Sequence, residues 1–479
     1  LTRPSGRTLL LLCAGSLLGL GAGKARPAPE PLVVGTWRDA GTLAMRLKWR
    51  PGSRPAALDV APLPEGLQIR LRPVPTRWAP GPRETGDPLL PVVATATSDQ
   101  GLIVGVPWPY AMPFEAKEDK DGLTVVLRKV FDKVATRSLS PGITLVEEER
   151  GRDEGRQRTF VLLAEPGAAH LRLLNRQGTR LESTGTLARR HAPLAAVNGG
   201  FFSPRDGIAL GLVQQDNRIV SGPIHARSAL HLAGNRSTVA RASVQPWVLL
   251  PGGESAEVDQ VNVLPAAADG LSLFRAPWNT RSGTRGDDDS VELAVSQDGI
   301  VLGVGQRDMG LPPGGWILHA RGVRAAWLAS RAKRGAVLNL HEPTTEFWGM
   351  GGDALGAGPE LVRDGQVQVG QDERFRPDIM RGRHARTAAG FGKDGSIILL
   401  ATGQDRPGDL GMTLDETAAT LVRWGARQGL NLDGGTSTTL WTPNGTLVGQ
   451  RPERPVANAV GLFAGGYGQF REVIEGTAP

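Results

Sequence analysis

The stretch Leu430-Asn431-Leu432-Asp433-Gly434-Gly435-Thr436-Ser437-Thr438-Thr439 decides how this chain is to be read. Leu430-Asn431-Leu432 predicts a short strand, Asp433-Gly434-Gly435 a turn, and Thr436 to Trp441 a second strand. Just upstream, Thr413-Leu414-Asp415-Glu416 predicts a capping box, in which a Thr hydroxyl and a Glu carboxylate each satisfy an orphan N–H at a helix start. Leu414, Ala418, Leu421, Val422 and Gly425 then fall on one helical face, with Gly429 as the stop. Before that helix, Ala388 to Phe391 and Ser396 to Leu400 predict strands around the hairpin signal Lys393-Asp394-Gly395.

Two further segments stand out. Ser183 to His191 predicts a short capped helix stopped by Pro193. Leu194-Ala195-Ala196-Val197 then predicts a buried strand running into Asn198-Gly199-Gly200-Phe201-Phe202. The other segment is Arg383-His384-Ala385-Arg386-Thr387-Ala388-Ala389-Gly390. Between the two, Gly314-Gly315 precede a predicted helix with Ile317, Leu318, Ala320, Val323 and Trp327 on one face. Gly335 ends it, and Val337 to Leu340 predicts the next strand.

In this order the segments resemble the phosphodiester glycosidase family, whose members carry an NGGFF strand end, an RTA-type strand and an NLDGG turn. The text between them is also similar: Gly352 to Val362 ahead of the turn Arg363-Asp364-Gly365, the Gly314 to Leu340 stretch, and Arg454 to Val460. The resemblance spans about residues 141 to 466. It departs from the family pattern at Thr436, where many members have Gly. It departs again at Thr402-Gly403-Gln404, where members usually have an Asp-Gly pair, although Asp405 is close by.

The resemblance implies hydrolysis of a sugar-1-phosphodiester at the anomeric carbon, releasing a phosphomonoester. A phosphate leaving group is weakly basic, so the reaction needs cation contact, stabilisation of a positive ring and an activated water or nucleophile. On this reading Asp433, Arg386 and Asn198 are the catalytic candidates. Arg386 offers a planar fork for phosphate. Asp433 serves as base, nucleophile or ring-charge stabiliser, and Asn198 holds a sugar hydroxyl or the attacking water. Gly199, Gly200, His384, Thr387, Gly434, Gly435 and Ser437 are the substrate-binding candidates. The successive N–H groups of the two glycine turns are candidate anion nests. The bland alternatives are a turn carboxylate for Asp433, a turn residue for Asn198 and a structural ion pair for Arg386. No metal-ligand spacing is present and no cofactor is expected; Asp287-Asp288-Asp289 lacks the spacing of a calcium loop.

The 479 residues carry a formal charge of +7, with Arg well ahead of Lys. That balance suits an anionic partner such as a phosphorylated glycan, or simply reflects GC-rich coding. The absence of a Lys/Arg run argues against a nucleic-acid groove. Residues 1–28 predict an export signal, with Arg3 and Arg7 ahead of an apolar stretch too short and glycine-rich to span a membrane. The sole cysteine, Cys13, lies inside it, so a disulfide-free mature chain without a transmembrane segment is expected, with lipidation at Cys13 left open.

From 31 to 138 the pattern is strand-like: Met45 to Trp49, Leu67 to Leu71, and Leu123 to Leu127 after the turn signal Asp121-Gly122. This part faintly resembles AMIN-type modules, which implies possible cell-wall attachment. A phosphodiester glycosidase domain is expected over 141–468 and a tail over 469–479. The expected fold class is α+β: curved, largely mixed sheets with packed helices, preceded by the small all-β domain. The expected role is an exported periplasmic or extracellular hydrolase acting on an envelope or capsular exopolysaccharide. A non-catalytic phosphoglycan-binding module and an accessory protein of polysaccharide secretion are the alternatives.

Overall fold

The computed structural model describes residues 32–465 apart from 50–51, 53, 73–81, 99–100, 177–179, 206, 216–217, 234–236, 243–244, 265–267, 277–279, 285–288 and 343–351. The export-signal reading with Cys13, the Asp287-Asp288 pair and the tail lie outside the described residues. The chain divides into two compact units. The first comprises Leu1–Val134, Glu148–Arg158 and Arg406–Leu410, and the second holds the remainder.

The first unit contains only strands among its described residues. Leu32–Asp39, Thr42–Trp49, Gly122–Arg128 and Phe114–Asp119 form one sheet, and a second five-stranded sheet includes Gly66–Arg72 and Gly101–Pro107. The period-2 pattern explains this: Leu67, Ile69 and Leu71 alternate inward and join Leu43, Met45, Leu47, Leu123, Val125 and Leu127 in one core. The buried Lys129 ammonium bonds Asp87 at 2.7 Å and reaches Asp153 at 2.9 Å.

In the second unit two sheets enclose a shared core. One contains Gly155–Ala164, Ile397–Thr402, Arg386–Phe391, Gln428–Asn431 and Glu360–Arg363 in that spatial order. The other contains Ala169–Asn175, Asn458–Ala464, Ala195–Asn198, Leu440–Thr442 and Gly445–Val448. Phe160, Leu162, Leu399, Ala389 and Leu430 from the first meet Leu171, Ala196, Leu440, Val460 and Leu462 from the second. On the opposite face of the first sheet, Val161, Ile398, Leu400 and Ala388 pack on Leu414, Ala418 and Leu421 of the helix Leu414–Arg423. A strand such as Ile397–Thr402 is therefore buried on both faces, which is why its sequence is uniformly apolar rather than alternating.

The expected α+β class is overturned. Strands make up 51% and helices only 9%, in four short pieces among the described residues. The motif-bearing ladders are antiparallel, not mixed; a parallel pair joins Gln260–Val261 to Leu271–Arg275. The physical reason is visible at Trp316–Arg321. This apolar run, placed in a helix by its pattern, forms a strand paired on both sides. Period alone does not separate a fully buried strand from a buried helix. The helix begins only at Gly322 and ends at Arg331. Likewise the strand expected over Val337 to Leu340 is Asn339–His341.

The capped helices appear where their chemistry places them. Ser183 accepts from Thr186 N and caps Thr184–His191. Thr413 and Glu416 form the reciprocal capping box ahead of Leu414–Arg423. That helix stops well before Gly429, which lies in the strand Gln428–Asn431; Gly425, at φ +95, takes the turn instead. The strand expected from Thr436 is a 3₁₀ turn over Gly435–Ser437, and pairing begins at Leu440.

Candidate active site

The three motif segments meet at one end of the two sheets, and the residue that joins them is Asn198. It closes the strand Ala195–Asn198 and is fully buried. Its Oδ1 accepts from the Thr387 hydroxyl at 2.7 Å and from Thr439 N at 3.0 Å. Its Nδ2 donates to the Asp433 carbonyl at 2.7 Å. One amide thereby ties the NGG strand end, the RTA strand and the DGG turn together. Leu432 N donating to Thr387 O and Asp433 N donating to Gly199 O complete the weave.

This geometry alters the roles expected of several residues. Asn198 Oδ1, one Asn198 Nδ2–H and the Thr387 hydroxyl are spent on each other and on backbone, and both residues are buried. The glycine turns are not open anion nests. Asn198, Gly199 and Gly200 N–H donate to Thr439 O, Asn458 O and Asn458 Oδ1. Asp433, Gly434 and Gly435 N–H donate to Gly199 O, Asp433 Oδ1 and Ala385 O. Gly199 is needed for close approach: a Cβ there would lie 2.0 Å from Asn458 Oδ1.

Arg386 is 2% exposed. Nε donates to Met412 O at 3.1 Å, and Nη2 donates to Ile379 O at 2.9 Å and Gly382 O at 2.7 Å. The edge expected to grip phosphate is thus occupied by carbonyls. No carboxylate pairs with this guanidinium among the described residues, and burial pulls it down to about 10, still protonated at neutral pH. The DGG turn rests on it, with Gly434 placed so that a Cβ would lie 3.9 Å from Arg386 Cδ.

Asp433 is only partly open to solvent, with protein packed densely round its carboxyl. Burial pushes that carboxyl up to about 6, against the downward pull of the Ser437 hydrogen bond, the Gly434 N–H and the Arg454 charge. Arg454 is the residue that sequence reasoning missed as a site candidate. Its guanidinium hydrogen-bonds the Thr436 hydroxyl and lies over the Phe202 ring, 5.5 Å from the centroid. The signal was present, since Arg454 opens a family-like segment, but nothing in the sequence marked it as facing the DGG turn.

Beside the turn is a cavity of about 230 Å³ lined by His384, Asp405, Gly435, Thr436 and Thr438, among others. The Thr438 hydroxyl is buried and has no partner among the described residues. His384 hydrogen-bonds the Asp378 carbonyl through Nε2 at 3.0 Å. Thr402, at the position where an acidic residue was expected, is fully buried opposite Arg386 in the ladder, and its hydroxyl accepts from Thr159.

The family model for phosphodiester glycosidases matches residues 289–463. That span holds Arg386, Asp433, Ser437 and Arg454, while Asn198-Gly199-Gly200 lie before it. Among curated proteins no significant match was found. Among solved structures, the chain is similar to a hypothetical protein from Synechocystis, at 23% identity and TM-score 0.64, covering 95% of this chain and 85% of that one. It is also similar to a candidate exported protein from Burkholderia pseudomallei, at 20% identity and TM-score 0.55, covering 93% and 99%. At these identities the likeness shows a shared fold alone. The zebrafish N-acetylglucosamine-1-phosphodiester alpha-N-acetylglucosaminidase catalytic domain aligns at 14% identity and TM-score 0.34, over 70% of this chain and 88% of that one. No helix of the described residues is long and apolar enough to cross a membrane. Residues 289–463 are thus similar to a phosphodiester glycosidase domain.

Proposed function

We propose that the protein hydrolyses a sugar-1-phosphodiester at the anomeric carbon. The observation that carries this reading is the desolvated Asp433 carboxyl, set in the family-matched region beside a cavity and two arginines. In the reaction a C1–O bond to water or to Asp433 forms as the C1–O bond to phosphate breaks. The electron pair leaves with the phosphomonoester, and where Asp433 attacks, water later cleaves the glycosyl ester. Asp433 acts in its ionised form, as base or nucleophile. Ser437 and Gly434 N–H orient it. Arg454, partly exposed, contacts the phosphodiester, and Arg386 supplies buried positive charge beneath the turn.

The substrate class that suits this chemistry is a phosphoglycan of the cell envelope or capsule. The export reading of residues 1–28 and the name of the Burkholderia neighbour both support an exported location. The test is release of phosphomonoester from an N-acetylglucosamine-1-phosphodiester and a small panel of other sugar-1-phosphodiesters, with Asp433→Asn as comparison. Turnover that collapses in the variant establishes the reading, and an inert wild type across the panel refutes it. A binding module is the second reading, favoured by one observation: Thr402 offers a hydroxyl tied to Thr159 where an acidic residue was expected. Saturable binding of the same compounds without turnover would select it.

A further inference from the structure

A larger cavity, about 620 Å³, opens elsewhere in the second unit, and none of its lining residues belongs to the three motifs. Its polar end is Arg275, the last residue of the strand Leu271–Arg275, only 7% exposed. Asn262 Oδ1 accepts from Arg275 N at 2.8 Å and holds the strand end in place. Arg275 Nη1 donates to Glu342 Oε2 at 3.0 Å. The other oxygen of that carboxylate accepts from Ile219 N at 3.3 Å, so Glu342 is fully used. Nε and Nη2 of Arg275 are buried and have no hydrogen-bond partner among the described residues.

Those two atoms form the side-on edge of the guanidinium. Their N–H bonds run parallel and match two oxygens of one carboxylate or phosphate. Burying charged donors without a partner is unfavourable, and folded proteins leave few such groups. Arg218 adds a second cation to the lining and Asp298 a second carboxylate beside Glu342, and Leu249, Leu340 and Trp316 supply apolar wall. His341, also in the lining, is held flat on Trp247, with ring centroids 3.9 Å apart and planes at 7°. A cavity of this size, lined mostly by polar groups with some apolar wall, can admit a small polar ligand.

We infer that this cavity is a second, non-catalytic site that binds an acidic sugar residue, whose oxyanion seats on the Nε/Nη2 edge of Arg275. The inference does not rest on the hydrolase reading, because no residue is shared between the two sites. The test is calorimetric titration of the full chain with methyl glucuronide, glucose 1-phosphate and methyl glucoside. At least one acidic sugar binds and the neutral glycoside does not; which acidic sugar binds separates a carboxylate ligand from a phosphate one. Arg275→Gln weakens that binding at least tenfold, and Asp433→Asn leaves it unchanged. Leu249→Trp narrows the cavity without touching Arg275, so it weakens binding even where Arg275→Gln fails to fold. Absence of binding by both acidic sugars, or binding indifferent to both cavity variants, overturns the inference.

Discussion

Asp433→Asn should make the fold around the site more stable while abolishing turnover, and the size of the gain follows from the carboxyl's environment. Its ordinary value of 3.8 is pushed up to about 6, with burial as the largest cause. The fold therefore favours the protonated acid. Its contribution is fully present below the unfolded value and is lost as pH rises through about 6, where ionising the group costs about 3 kcal/mol. Between about pH 4 and about pH 8 the loss amounts to about 2 kcal/mol, which is about 30-fold in a local opening equilibrium. Asparagine has no charge to desolvate and keeps an oxygen for the Gly434 N–H. Hydrogen exchange of peptides covering Gln428–Asn431 and Arg386–Phe391 reads the effect locally, without assuming that both units unfold together. The ratio of protection, variant over wild type, should be near one in acid and rise by about 30-fold at mildly alkaline pH. A ratio that does not change with pH would refute the claim that this carboxyl is desolvated.

Further outcomes follow from the same geometry. With Asp433 acting ionised, kcat/KM should fall as pH drops through about 6, and Arg454→Gln, which removes a charge holding the carboxyl down, should move that limb to higher pH; a stationary limb in the pH–rate profile would separate the two residues. Asn198→Ala leaves the Thr387 hydroxyl and Thr439 N–H without their acceptor in a fully buried place, and should cost about 3 kcal/mol in chemical denaturation of the second unit. Arg386→Lys should lose turnover and protection over Pro377–Arg381 together, because an ammonium cannot span the Met412, Ile379 and Gly382 carbonyls that the guanidinium bridges; retained protection would show that those bonds do not hold the segment.

Local chemistry was legible in the sequence wherever a side chain acts on its own backbone. The Ser183 and Thr413 caps and the Asp121-Gly122 and Lys393-Asp394-Gly395 turns all occur as read. The balance of helix and strand was not legible, because Trp316–Arg321 is buried along nearly its whole length, His319 included, and either period fits it. The site was legible as a set of segments but not as a set of roles. Asn198 looks like a polar group available to a substrate, and only the fold reveals that its amide oxygen and an amide N–H bond to Thr387, Thr439 and Asp433. Arg386 and Arg454 exchange expected prominence for the same reason: the former's fork is filled by carbonyls contributed from Ile379, Gly382 and Met412, whose proximity no spacing rule predicts. The cavity at Arg275 carried no sequence signal, since its members come from strands separated by long stretches of chain.

Three charges at the DGG turn, Asp433, Arg386 and Arg454, carry an excess that an anion would offset, with Asp405 in the lining of the neighbouring cavity. In the free protein, Asp433 ionised, Arg386 and Arg454 sum to one excess positive charge, and both the acid and the buried guanidinium are displaced toward neutrality by burial. Each displacement is worth about 3 kcal/mol, and their sum is comparable to the net stability of an ordinary domain, about 5–15 kcal/mol. A turn needed for structure alone could be closed by neutral residues at none of that cost. On the proposed function, a bound phosphodiester would offset the excess of these three groups and share the Arg454 charge with Asp433. The carboxylate then loses part of its electrostatic support at the moment when an anomeric centre with growing positive charge becomes its best partner, and this is the condition under which a carboxylate favours the transition state over the ground state.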